Sequence, residues 1–143
     1  MTDLVNASHI TELKDSMQSA IAAGDLTQIE APLDHYHTDE LYGRRIYVPA
    51  GATVITKVHK SEHITVALKG ECVVVDEIGD RKEVIAPAVF VTRPGTQRAV
   101  YAITDTEWLT VHAYQGVKDL ENIENFLVCD TMNQYNSLLE APK

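Results

Sequence analysis

The feature that most constrains this chain's fold is a series of short segments rich in valine, isoleucine, threonine and tyrosine, running from Tyr42 to Tyr114. The turns between them carry the sequences Pro-Ala-Gly, Lys-Gly, Gly-Asp, Arg-Pro-Gly and Thr-Asp. β-Branched and aromatic residues favour strands, whereas glycine, proline and aspartate favour the turns that join strands. Short strands at this spacing, with no helical pattern between them, predict an all-β sandwich or barrel of antiparallel strands.

A helical pattern precedes the β region. From Ser8 to Gly24 the apolar residues fall on one stripe, which indicates a short amphipathic helix that ends at the glycine. The stripe consists of Ile10, Leu13, Met17 and Ile21. Residues 25–43 sustain neither a helical nor a strand period, so we expect a connecting arm there, and this arm carries His35 and His37.

A helical pattern also returns after the β region, with apolar residues at Leu120, Ile123 and Leu127. We therefore expect a single domain in three parts. These parts are an N-terminal helix and arm (1–41), a β-barrel (42–115) and a C-terminal helical extension (116–143).

The charge balance limits the partners of the chain. It has 12 lysines and arginines against 21 aspartates and glutamates, a net charge of −9. So acidic a surface repels phosphate backbones, which argues against nucleic acid and anionic membranes as partners. Cys72 and Cys129 are too few for a disulfide framework, and the N-terminus has no secretion signal. We expect a soluble, cytoplasmic protein with reduced thiols.

The stretch GATVITKVHKSEHITVALKG contains the strongest signal for a functional site. His59 and His63 flank a charged three-residue turn between two expected antiparallel strands. If both lie on one face, their rings come into cross-strand contact and supply half of a zinc, iron, manganese or nickel site. His112 is the best candidate for a further metal ligand, because it lies on a separate expected strand. His35 and His37 are weaker candidates, since no rigid element is expected to support them.

Strand alternation divides the second half of this stretch into two faces. Residues in phase with His63 are small or polar, whereas Ile64, Val66 and Leu68 form a wholly aliphatic opposite face. We expect the histidine face to line a cavity and the aliphatic face to pack against another surface, such as a second copy in a homodimer. The inverse arrangement, with the histidines turned to solvent, is the alternative.

The intervals within this stretch resemble the first motif of the cupin superfamily. Gly51, Lys57, His59, His63 and Gly70 reproduce the spacing of glycine, His-x-His, glutamate and glycine in that motif. The sequence is also similar to small uncharacterised cupin-like proteins of bacteriophages and bacteria. The resemblance covers about residues 42 to 114 and implies a single cupin barrel, that is, a double-stranded β-helix or jelly roll, here with short helices at both ends.

The ligand positions of the cupin motifs are altered in this chain. Lys57 stands where cupins usually have their first histidine, and His63 where they have glutamate. In the second motif, matched by RPGTQRAVY, Arg98 takes the histidine position. Positive side chains beside a divalent ion are unfavourable unless an anion intervenes. Either a metal lies displaced toward His112 with Lys57 or Arg98 binding an anionic substrate beside it, or the cavity binds an anion without metal.

Three functions are therefore open at the level of sequence. The first is a metal-dependent small-molecule enzyme of the dioxygenase, isomerase or lyase type, with the ion on His59, His63 and His112. The second is a non-catalytic protein that binds or sequesters an anionic metabolite or sugar. The third is a metal-free sugar epimerase or isomerase that uses a histidine as base. In each case Lys57, Arg98 and Trp108 are expected to contact the ligand.

Overall fold

The computed structural model describes residues 8–76, 78–113 and 127–129. Within these residues the chain forms one helix, α1 (Ser8–Ala23), and eleven strands. The strands are β1 (Leu33–His37), β2 (Leu41–Val48), β3 (Thr53–Ile55), β4 (Val58–His59), β5 (His63–Lys69), β6 (Glu71–Val75), β7 (Arg81–Ile85), β8 (Ala88–Thr92), β9 (Ala99–Ala102), β10 (Thr106–Ala113) and β11 (Val128–Cys129).

The strands form two main antiparallel sheets and a short pair. The order in the five-stranded sheet is β1-β2-β10-β5-β8, and the order in the four-stranded sheet is β3-β9-β6-β7. Strands β4 and β11 make the separate pair, in which Val128 lies opposite His59. The predicted all-β fold with antiparallel strands is confirmed, as is the N-terminal helix. No described helix has the length and apolar character needed to cross a membrane.

The main core lies between the two sheets and is built by alternate residues of their strands. Its buried members are Ala67, Cys72, Val74, Val84, Val100 and Trp108. On β5, Thr65 and Ala67 are each 1 % exposed, whereas Ile64 is 48 % and Leu68 41 % exposed. The histidine face of β5 therefore points into the barrel, as predicted, and the inverse arrangement is wrong.

Gly70 makes the tight connection between β5 and β6. Its φ is +91°, a conformation that side chains with a Cβ rarely adopt. A Cβ here would lie 2.3 Å from the carbonyl oxygen of Asp105 and 2.9 Å from the Thr106 hydroxyl. The glycine that ends the cupin-like stretch is therefore required both by backbone conformation and by close packing.

Two sequence expectations need correction. The arm over residues 25–43 is not irregular throughout, because Leu33–His37 forms β1 and pairs with β2. Four of the five residues in β1 are exposed, so this edge strand lacks the apolar alternation that marks a half-buried strand. Most of the predicted C-terminal helix lies outside the described residues, and at its end Val128–Cys129 forms β11 instead.

Candidate metal and ligand site

The structure brings His59, His63 and His112 together. The ring centroids of His59 and His63 are 4.5 Å apart, and those of His63 and His112 are 4.2 Å apart. His59 ends β4 and His63 begins β5, and the short turn between them places the rings side by side. The expected antiparallel pairing of these two strands is wrong, because β4 pairs with β11 and β5 lies between β10 and β8. β10 pairs with β5 at Thr110 and Thr65, and His112 follows two residues later on the same face.

Each of the three imidazoles has one buried nitrogen without a hydrogen-bond partner among the described residues: His59 Nδ1, His63 Nε2 and His112 Nδ1. The other nitrogens of two rings are engaged. His63 Nδ1 lies 3.3 Å from the Ser61 carbonyl oxygen, to which an N–H there would donate. His112 Nε2 lies 2.8 Å from the Thr110 hydroxyl. Buried polar atoms are normally paired, so three such nitrogens in one cluster are positioned to bind a ligand.

The same burial keeps the histidines neutral. Desolvation lowers the pKa of His59 from 6.5 to about 3, and the neighbouring His63 and His112 lower it further in that direction. The pKa of His112 is likewise lowered to about 3, chiefly by desolvation and next by the electrostatic effect of His63. The pKa of His63 is also lowered, again mainly by burial. A neutral imidazole carries a lone pair on one ring nitrogen, which is the form that binds metals.

Two of the histidines, His59 and His112, line a cavity of about 270 Å³ inside the barrel, whereas His63 is not among its lining residues. It is lined by Tyr42, Arg44, Ile46, Val54, Ile55, Thr56, Lys57, His59, Thr65, Arg98, Trp108, Thr110, His112, Leu127 and Val128. Three of these side chains are cationic and none is a carboxylate, so the part of the wall formed by the described residues is positive. This positive interior contrasts with the net charge of −9 of the whole chain.

Arg98 is held in the cavity wall by specific contacts. Its Nη1 donates to the Thr92 hydroxyl at 3.0 Å, and that hydroxyl is in turn 2.7 Å from the Thr65 hydroxyl. Its guanidinium carbon lies 5.3 Å from the centroid of the Phe90 ring. These contacts fix the position of the guanidinium, a group whose planar N–H donors suit carboxylate and phosphate ligands.

Tyr42 and Arg44 are among the lining residues that sequence reasoning missed. Both lie on β2, where Tyr42 is opposite His112 and Arg44 is opposite Thr110. They are in phase with each other, so the alternation that identified the β5 face would also have identified them. Tyr42 is 2 % exposed, and its ring centroid lies 5.9 Å from that of His112.

His35 and His37 lie behind Tyr42 and do not line the cavity. His35 Nδ1 is 2.6 Å from the Tyr42 hydroxyl, and the His37 ring centroid is 5.2 Å from the Tyr42 ring. Both histidines are carried by β1, so a strand supports them after all. Glu62 does not enter the cavity either, because its carboxylate is largely exposed and lies 4.0 Å from the Arg93 guanidinium.

The donor chemistry of the cluster fits a transition metal, although the present side-chain positions do not form a metal site. Imidazoles bind zinc at about 2.0–2.1 Å, so the centroids of two rings on one ion lie roughly 5 Å apart at a tetrahedral angle and roughly 4.5 Å apart at 90°. The observed separations of 4.2 and 4.5 Å are at or below the lower of these values. As the side chains stand, however, no three histidine, cysteine or carboxylate groups among the described residues are placed to hold an ion. Binding would require the rings to turn toward a common point.

Comparison with solved structures finds the same architecture in other proteins. One is an RmlC-like cupin family protein with a double-stranded β-helix fold from Methanocaldococcus jannaschii, at 15% identity and a TM-score of 0.51, covering 61% of this chain and 83% of that one. Another is a protein from Neisseria meningitidis, at 9% identity and a TM-score of 0.51, covering 68% and 96%.

A third is a variant of salicylate 1,2-dioxygenase from Pseudoaminobacter salicylatoxidans, at 14% identity and a TM-score of 0.52. It covers 70% of this chain, which spans only 32% of the dioxygenase. At these identities the likeness concerns the fold. No family model matches the sequence, and no curated protein shows significant similarity to it.

Proposed function

The chain has the cupin fold, and from that premise we propose that its barrel cavity binds a small anionic molecule together with a divalent transition metal: zinc, iron, manganese or nickel. The observation that supports this most is a cluster of three imidazoles, each with a buried nitrogen that has no partner among the described residues. Two of them, His59 and His112, line a cavity whose described wall is positively charged.

The anionic ligand is inferred from the charge of the cavity wall. Arg44, Lys57 and Arg98 line it, and no carboxylate among the described residues does. Charges with little solvent around them interact strongly, so an anion entering this space gains from all three cations. Arginine suits planar carboxylate or phosphate groups in particular, because it donates two parallel hydrogen bonds. Trp108 supplies an apolar surface on the same wall.

The metal is inferred from the histidines. Neutral imidazoles are ligands for zinc, iron, manganese and nickel, and three would leave coordination positions for a ligand. A lone divalent ion would be repelled by the nearby cations, whereas an ion accompanied by an anion would not. We therefore expect metal and anion to bind cooperatively, each raising the affinity of the cavity for the other.

Such a site is suited to metal-dependent chemistry on a small molecule, of the dioxygenase, isomerase or lyase type. A bound ion would supply Lewis acidity or a redox centre. The chain's own contribution is to hold the imidazoles neutral by burial, to neutralise the ligand's anionic group with Lys57 or Arg98, and to exclude water with the apolar wall.

A non-catalytic protein that binds or sequesters an anionic metabolite or sugar without metal is the second candidate. It is favoured by the present side-chain positions, which do not converge on an ion in the described part of the chain. A metal-free epimerase or isomerase has less support. Its base needs an orienting carboxylate, and none of the described cavity-lining residues provides one.

Metal content separates the two candidates. Protein purified without chelator should contain close to one transition-metal ion per chain by elemental analysis, and the His59→Ala/His63→Ala double variant should contain almost none. His35→Ala is the matched control, because His35 lies behind Tyr42 and outside the cavity wall. Wild-type protein that is metal-free and cannot be loaded contradicts the metal-dependent function and leaves the binding protein.

Calorimetry with inorganic phosphate then tests the anionic ligand directly. Lys57→Gln should weaken phosphate binding about tenfold, the effect of losing one charge-assisted contact. Equal affinity in the two proteins would remove the anion from the proposal.

We also propose that a second copy of the chain packs on the outer face of the five-stranded sheet. Neighbouring strands expose aliphatic side chains there, with Ile64 48 %, Val89 71 % and Val91 55 % exposed. An aliphatic face that the described residues leave exposed is typical of an association surface. A two-fold axis would place it against its own equivalent and form a homodimer.

A further inference from the structure

A second, cationic cleft adjoins the histidine cavity, and Arg98 lines both. The cleft has a volume of about 710 Å³. Its wall consists of Val74, Asp76, Asp80, Arg81, Lys82, Val84, Phe90, Val91, Arg93, Pro94, Thr96 and Arg98. We propose that this cleft is a second subsite for an anionic group. The ligand of the barrel is then a small molecule with two anionic groups, carboxylate or phosphate, which bind on either side of Arg98. This inference rests on the proposed function.

Strand alternation places two of the cations on the same side of their strands as buried core residues, although Lys82 itself is exposed and Arg98 only partly buried. Lys82 lies two residues before the buried Val84 on β7, and Arg98 lies two residues before the buried Val100 of β9. Both approach the same aromatic ring: Lys82 Nζ is 5.6 Å and the Arg98 guanidinium carbon 5.3 Å from the Phe90 centroid. The cleft therefore has a floor of one aromatic ring with two cations over it.

The charge of the cleft is opposite to that of the chain. Four of the chain's 12 lysines and arginines line it, although the net charge of the whole chain is −9. Of the two carboxylates in the wall, Asp76 already accepts the backbone N–H groups of Ile78 and Asp80 through Oδ1, within the turn between β6 and β7. The hydrogen bonds orient this carboxylate toward the turn. Arg93 also lies 4.0 Å from the exposed Glu62 carboxylate, yet among the described lining residues four cations still outnumber two carboxylates.

The contacts of Arg98 explain how one residue serves both compartments. Its bond to the Thr92 hydroxyl fixes the guanidinium, and Thr92 continues to Thr65 in the wall of the histidine cavity. Two anionic groups that flank a guanidinium are both attracted to it, and it screens their mutual repulsion. A molecule with a single anionic group would leave one of the two positive compartments unfilled.

The test compares ligands that carry one and two anionic groups. Calorimetry with butyrate and with succinate, glutarate, adipate and pimelate measures affinity as a function of the distance between two carboxylates. Inorganic phosphate and pyrophosphate form the corresponding phosphate pair and show which group is preferred. The proteins are wild type, Lys82→Gln and Lys57→Gln, with Lys69→Gln as a control of equal charge change. Lys69 is exposed at the opposite end of β5 from His63 and lines neither compartment.

We expect either pyrophosphate or a dicarboxylate of one particular length to bind at least tenfold more tightly than the matching ligand with one anionic group, which is phosphate or butyrate. Lys82→Gln should remove that advantage while leaving butyrate and phosphate affinity within about twofold, and Lys69→Gln should change neither. If ligands with one and two anionic groups bind equally tightly and Lys82→Gln does not change their affinity, the proposal of a second subsite is wrong. A loss of affinity in Lys57→Gln would in that case still support anion binding in the histidine cavity. If Lys57→Gln is also without effect, or no probe binds, both proposals fail.

Discussion

The metal-free protein should lose stability steeply in mild acid because of its buried histidines. His112 is 4 % exposed, and desolvation lowers its pKa from 6.5 to about 3. Between these two values the unfolded chain takes up a proton at this residue and the folded chain does not. Stability that is complete above pH 6.5 is therefore lost progressively as the pH falls toward 3.

The magnitude follows from the size of the pKa shift. A group that titrates only in the unfolded chain changes the free energy of unfolding by about 1.4 kcal/mol per pH unit. Between pH 6.5 and about pH 5, His112 alone should cost about 2 kcal/mol, and His59 and His63 shift in the same direction. Since small domains are typically stable by about 5–15 kcal/mol, this loss is a large part of the total.

Urea unfolding of chelator-treated protein, followed by the fluorescence of its single tryptophan, measures this loss at a series of pH values. The variant His112→Gln should show a shallower fall in the free energy of unfolding, by about 2 kcal/mol between pH 6.5 and about pH 5. Carboxylates titrate in both proteins, so the difference between the two curves isolates the histidine. Parallel curves would refute the reasoning, because they would mean that the histidine is protonated equally in the folded and unfolded chain.

Three further changes test the fold and its contacts. Gly70→Ala should lower the free energy of unfolding by more than about 2 kcal/mol, because its Cβ would overlap backbone atoms. Gly51→Ala is the control: Gly51 also has a positive φ, but a Cβ there would lie in open space, so the loss should be about 1 kcal/mol. Comparable losses in the two variants would contradict the packing argument. Val89→Glu should convert a homodimer to a monomer in light scattering, and Tyr101→Glu on the other sheet should not; a monomeric wild type would rule out the dimer. Thr92→Val should lower the free energy of unfolding by about 1–2 kcal/mol and weaken phosphate binding, since it removes the hydroxyl that accepts a hydrogen bond from Arg98. If neither stability nor phosphate affinity changes, this contact is unimportant.

The part of the fold that could be predicted is the part in which one strand face is buried. The alternation in β5 is strict, and one of its faces is wholly aliphatic, so the direction of His63 followed from the sequence. The proximity of His112 follows from the same rule once β10 pairs with β5. Strands without such a face were missed or wrongly paired. β1 is an exposed edge strand, and β11 has two residues, too few for any period to show. The strand before His59 was expected, but its partner is β11 and not β5.

The candidate site was only partly predictable for a different reason. Sequence spacing determines which backbone positions face a cavity, but it does not determine how an imidazole ring is turned. The choice between a metal and a metal-free anion depends on that rotation, and on whether Lys57 and Arg98 approach the same guest. Arg44 was overlooked because the segment before it was interpreted as an arm, so the strand that carries it had no expected neighbour on that side.

The pairing of β4 with β11 has a consequence for how the protein is made. The strand that carries His59 hydrogen-bonds to Val128 and Cys129, and the Lys60 N–H donates to the Leu127 carbonyl. A ribosome must therefore have produced the chain as far as Cys129 before this edge of the pocket can close. Until then the nascent barrel exposes an unpaired strand end beside its histidines.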